Sequence, residues 1–120
     1  MESAFEKLTE AVGQAIADGR VGVPSVVRWY VRTKPAKGGA APTAESMLDA
    51  AGAWLGGKPV AVQRFGKDEA QVVLHAKWAA GAAAMLTAAS GRGEPANDLI
   101  VLGSRGSIYF GRTPEVANGT

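Results

Sequence analysis

The sequence has no cysteine and a single histidine, His75. The first absence excludes disulfides, thiolate metal sites and cysteine nucleophiles, and the second excludes a multi-histidine metal site within one copy of the chain. Aromatic residues are few: three Trp, two Tyr and three Phe. No apolar run approaches the roughly 20 residues of a membrane-spanning helix. The richest stretch, Trp78 to Leu86, has nine residues and is mostly alanine and glycine. The first residues carry Glu2 and Glu6 with no basic flank leading into an apolar run, so no secretion signal is expected and the cytoplasm is the expected location. A net charge of +2 is too small to point to nucleic acid.

What is abundant is small. Of the 47% hydrophobic residues, alanine supplies 23, and alanine with 16 glycines makes about a third of the 120 residues. The length fits one domain, expected over 1–112, with a loose tail over 113–120. A core rich in alanine gains little per residue at about 25 cal/mol per Å². Closely approaching elements, dependence on partner subunits, or both, are expected.

Ser3 with Glu6 matches a capping box, and Phe5, Leu8, Val12 and Ile16 make one apolar stripe, so a helix is expected up to Asp18-Gly19. Ser25 to Lys34 alternates as a strand, with Val27, Trp29, Val31 and Thr33 on one face and Arg28, Tyr30, Arg32 and Lys34 on the other. Pro35 to Pro42 reads as a loop around Lys37-Gly38-Gly39. A second helix is expected from Thr43, as its cap, to Leu55, stopped by Gly56-Gly57. Val60 to Phe65, Gln71 to Trp78, Ala82 to Ala89, Leu99 to Leu102 and Ser107 to Phe110 read as strands, with a turn at Gly66-Lys67-Asp68 and a hairpin at Gly103-Ser104-Arg105-Gly106. This order is α+β: two helices on one face of a mostly antiparallel sheet of about five to six strands, the other face open.

Several phrases resemble the C-terminal domain of the Gfo/Idh/MocA family, the glucose–fructose oxidoreductase and inositol dehydrogenase family. They are Ala15 to Pro24 entering a strand, Ala53-Trp54-Leu55-Gly56-Gly57-Lys58-Pro59-Val60, Lys77 to Ala82, and Leu99 to Ile108. The resemblance implies a domain that works with a nucleotide-binding Rossmann domain, either as a separate protein or through assembly with itself. No G-x-G-x-x-G opens a helix after a strand here. The family's second helix usually carries an aspartate and, four residues on, a histidine. With Trp54-Leu55 setting the register, those positions hold Thr43 and Met47, and neither relays a proton near neutral pH. The chain alone is therefore not expected to be a nicotinamide-dependent dehydrogenase, and no cofactor or metal is expected. The resemblance also implies a homo-oligomer closed through the open sheet face, which bears Arg28, Tyr30, Arg32, His75 and Lys77.

Other readings compete at the residue level. Gly52 to Lys58 fits the first seven positions of a phosphate loop, but Pro59 replaces the hydroxyl and the segment ends a helix instead of opening one. Glu45 and Asp49, one helical turn apart, read as residues complementing the helix dipole. The basic stripe on the first strand carries one aromatic, which suits a solvated or interface face better than a nucleic-acid site. His75 is the one candidate general base. A small cofactor-free enzyme would place a pocket between the second helix and the sheet, near Thr43, Met47, Trp54 and His75. A simple ligand-binding module is the third reading.

Overall fold

Alternating burial along the longest strand organises the molecule, as seen in a computed structural model that describes residues 4–35, 38–66, 70–91 and 93–111. The capping-box residue Ser3, the side chain of Phe5, Lys37, the turn residues Lys67 and Asp68, the boundary at 112 and the tail 113–120 lie outside the described residues. In chain order the elements are α1 (Ala4–Ala17), β1 (Pro24–Thr33), α2 (Ala41–Leu55), β2 (Ala61–Phe65), β3 (Gln71–Lys77), β4 (Ala83–Ser90), β5 (Ala96–Gly103) and β6 (Gly106–Phe110). The six strands form one sheet in the order β2-β3-β4-β1-β5-β6. All neighbours are antiparallel except β1 and β4, which run parallel. The expected α+β fold is present.

The period of two along each strand sorts residues between the faces. Val27, Trp29 and Val31 of β1, Leu86 and Ala88 of β4, Leu74 and Val72 of β3, and Leu99 and Val101 of β5 are buried. The cross-strand register puts them on one face, and α2 packs over β4, β3 and β1 with α1 against it. The alanine excess lies here: Ala44 and Ala51 of α2 and Ala84 and Ala88 of β4 are buried. A side chain of one carbon lets helix and sheet backbones approach closely, with dense contact replacing bulk.

The structure moves two boundaries. α2 begins at Ala41, with Ala40 as its N-cap and no side-chain cap hydrogen bond, so Thr43 lies inside the helix. Pro42 occupies the first turn, where its missing N–H leaves no intrahelical bond unmade. β5 begins at Ala96, earlier than Leu99, because pairing with β1 extends back through Asn97 and Asp98. At the other end of α2, Gly56 takes φ 110° and Gly57 φ 103°, and both amides donate to the Gly52 carbonyl, at 3.0 and 2.7 Å.

The hairpin falls where expected, with Ser104 and Arg105 between the paired Gly103 and Gly106. Its turn is tied to the segment entering β1. Ser104 N–H donates to Val23 O at 3.0 Å, Arg105 N–H donates to Val21 O at 2.8 Å, and Val23 N–H donates to Ser104 Oγ at 2.9 Å. Gly103 permits this approach, since a Cβ there would meet the carbonyl oxygens of Val21 and Val23.

Candidate functional site

The tryptophans hold α2 on the sheet. Trp29 and Trp54 meet with ring centroids 5.2 Å apart. Trp29 Nε1 donates to Asn97 Oδ1 at 2.7 Å, and Trp78 Nε1 donates to Gly57 O at 2.8 Å. Buried indole N–H groups require such partners. Trp54 is 8% exposed and Met47 0%, so both are core and neither borders an open cavity.

The pocket expected around Thr43, Met47, Trp54 and His75 is not assembled. His75 is exposed on β3 between buried Leu74 and Ala76, and its cross-strand neighbours are Gln63 and Met85. It therefore stands on the face away from α2, with the sheet between it and Met47. Its ring meets Phe65 edge-on, with centroids 5.2 Å apart and planes at 64°. No described carboxylate forms a bond to it, so no general-base pair is present among the described residues. The side on which a strand residue emerges depends on counting from a correctly placed neighbour, and the count through Leu74 was the signal available.

What α2 shows to solvent is Pro42, Glu45, Ser46, Asp49 and Ala53. Beside this surface, Glu45, Leu48, Asp49, Val62, Arg64 and Leu74 line a cleft of about 270 Å³ between α2 and β2. The residues Gly52 to Lys58 do not fit a nucleotide. They form a helix C-terminus, the negative end of its dipole, and the amides of Gly56 and Gly57 are already turned back onto Gly52 O. No group of His, Cys, Asp and Glu that could hold a metal occurs among the described residues.

The residues of the expected sheet-face interface do share one surface. Arg28, Tyr30, Arg32, His75 and Lys77 all lie on the open face by the register of β1, β4 and β3. With them stand Phe65, Met85, Leu102 and Tyr109, each between 38% and 63% exposed. Arg32 Nε donates to the Tyr30 hydroxyl at 3.4 Å, and Tyr109 Oη donates to Asp98 Oδ1 at 3.0 Å. A concavity of about 390 Å³ opens at the middle of this face, lined by Arg28, Tyr30, Met85, Asp98, Ile100 and Tyr109. The apolar members of this surface were legible only as strand residues; their shared exposure needed the pairing register.

Comparison with solved structures follows the architecture. Similar folds occur in a probable dehydrogenase from Thermotoga maritima (TM-score 0.74, 19% identity, 90% of this chain and 39% of that one) and in the WlbA dehydrogenase from Bordetella pertussis, solved with NADH and UDP-GlcNAcA (0.70, 20%, 92% and 40%). Myo-inositol 2-dehydrogenase from Lactobacillus plantarum gives 0.67 and 16%, over 90% of this chain and 40% of that one. The chain shares its fold with part of each of these dehydrogenases. The chain spans about two fifths of the length of these dehydrogenases. No family model and no curated protein matches. Among the described residues no helix is long and apolar enough to cross a membrane.

Proposed function

We propose that this domain is the oligomerising, non-catalytic unit of a cytoplasmic dehydrogenase assembly. Nucleotide binding is supplied by a Rossmann domain outside these 120 residues, and a second copy covers the open sheet face. The observation that carries this reading is the open face itself. It places Phe65, Met85, Leu102 and Tyr109 in solvent on a sheet whose opposite side is packed by helices over its central strands. Several large exposed apolar side chains on one face, set among polar ones, mark an interaction site more often than a solvated wall. The dehydrogenase fold supports the pairing with a nucleotide-binding unit.

Two features favour this role over that of a small enzyme. His75 has no carboxylate partner among the described residues, and the buried Met47 and Trp54 are part of the core between α2 and the sheet. The test is the molar mass in solution by sedimentation equilibrium across a concentration series. The reading predicts a reversible dimer or higher even-numbered assembly that binds no NAD alone. A strict monomer at tens of micromolar, or saturable NAD binding without a partner, overturns it.

A further inference from the structure

The helix layer stops short of one edge of the sheet. α2 is centred over β4, with β3 and β1 on either side of that strand. α1 lies on the flank toward β1: Gly13 faces the Trp54 indole nitrogen, and Trp54 meets Trp29 of β1. No described element occupies the opposite flank, where β2 forms the sheet edge with every one of its residues exposed. Val62 and Arg64 stand on the helix side there, because they pair with the inward Ala76 and Leu74. Val62 is left 47% exposed.

The vacant flank is a groove as long as α2. Two clefts, of about 270 and 500 Å³, share Leu48 and Asp49 and together run from Ala41 to Lys58. The α2 wall is a single stripe at helical spacing: Ala41, Ala44, Glu45, Leu48, Asp49 and Ala53. Val72 and Leu74 of β3 make the floor, and Val62 and Arg64 of β2 the far side. Alanines on the wall let another backbone come close. Two strand spacings of about 4.8 Å match the roughly 8–10 Å between packed helices. A helix laid beside α2 therefore sits directly on β2 and covers Val62. A strand added to the β2 edge lies in the plane of the sheet and leaves the groove unfilled.

The charges give the occupant its sign and its direction. Glu45 and Asp49 sit one turn apart, both exposed and bonded by no described group. A cation set between them relieves their repulsion. Lys58, also exposed and without a described partner, stands past the C-terminal end of α2, and Arg64 is already engaged. A helix antiparallel to α2 meets Lys58 with its first turn and Glu45 and Asp49 with its later turns. Helices favour acids in the first turn and bases in the last, so an ordinary amphipathic helix matches the groove in this direction. Neither helix of a second copy fits. The exposed charges of α1 are Glu6, Lys7 and Glu10 among the described residues, and α2 shows Glu45 and Asp49. We propose that the groove receives an amphipathic helix of a different protein, antiparallel to α2. Its apolar stripe lies on Leu48, Val62 and Leu74, its lysines or arginines on Glu45 and Asp49, and an acid on Lys58. The site is on the helix side of the sheet and is independent of what covers the open face.

The test uses two synthetic peptides of 15 residues, the length of α2, each with the same leucine stripe. One carries glutamates in its first turn and lysines in its last two turns. The other has the same residues with these charges exchanged end for end, so net charge is equal. Affinity is read by fluorescence anisotropy at physiological salt, and the site by amide NMR shifts. The first peptide is expected to bind with a dissociation constant below roughly 100 micromolar, about fivefold or more tighter than the second. It should move the amides of Leu48, Asp49 and Val62 and not those of Arg28 or Met85, and become more helical by circular dichroism. In the Glu45→Lys, Asp49→Lys double variant its affinity is expected to fall about tenfold or more, with the thermal transition close to that of the parent. Val62→Ser should weaken both peptides.

Equal affinity for the two peptides, or no binding at roughly 1 mM, overturns the proposal. So do shifts confined to the open face, and so does a peptide that is extended in the complex. Groove amides that move with protein concentration alone place a second copy there and overturn it as well. The sedimentation result for the open face stands or falls separately, since a strict monomer leaves the groove unchanged.

Discussion

Two methionines mark the difference between the faces of the sheet. Met47, on α2, is 0% exposed in the layer between helix and sheet, whereas Met85, on β4, is 40% exposed on the other side. The covered face packs alanines, valines and leucines with three tryptophans, and Trp29 and Trp78 donate their N–H groups to Asn97 and Gly57. The open face carries aliphatic and aromatic side chains too, yet none of the described elements lies over it. The same alternating strands made both faces. What separates them is that the helices supply cover on one side only.

Substitutions can break this comparison in order of size. The largest effect is expected on the covered face. Leu86, fully buried on β4, should lose about 3 kcal/mol of stability as Leu86→Ala, measured by urea unfolding. The next tests the close approach at the end of α2. Glycine to alanine within a helix normally stabilises by about 1 kcal/mol. At Gly52 a Cβ would meet the Gly57 carbonyl oxygen, so Gly52→Ala should reverse the sign and lower stability by about 1–2 kcal/mol, seen as a lower melting temperature. Trp78→Phe keeps an aromatic ring but removes the bond to Gly57 O, and about 1 kcal/mol should be lost in the same unfolding assay. The smallest effect on the isolated fold is expected on the open face. Met85→Ser should change the stability of dilute protein by less than about 0.5 kcal/mol while weakening self-association. A loss of several kcal/mol there would show that the two faces do not differ as described.

Much of the fold was legible because its signals are local. Alternation in Ser25–Lys34 and Gln71–Trp78 assigned the inward tryptophans, and Gly103-Ser104-Arg105-Gly106 marked its hairpin. The start of α2 was misplaced because Thr43 has cap chemistry, while the actual start uses Pro42 in the first turn and no side-chain cap. The parallel pairing of β1 with β4 had no local signal, since it joins segments some sixty residues apart along the chain. The site was less legible for the same reason. Placing His75 beside Met47 and Trp54 required three elements to be docked, and the alternation of β3 turns the imidazole to the opposite side. The open-face residues Arg28, Tyr30, Arg32 and Lys77 were grouped correctly because a period of two suffices within a strand and the register then lines the strands up.

The central claim is that the open face is covered in the assembled protein and the helix face is covered in every copy. Methionine oxidation by dilute peroxide, followed by peptide mass spectrometry at low and high protein concentration, reads both faces in one sample. The account predicts that Met47 resists oxidation at both concentrations, while Met85 is oxidised in dilute solution and protected as the concentration rises. Oxidation of Met85 at the same rate throughout the series would contradict it.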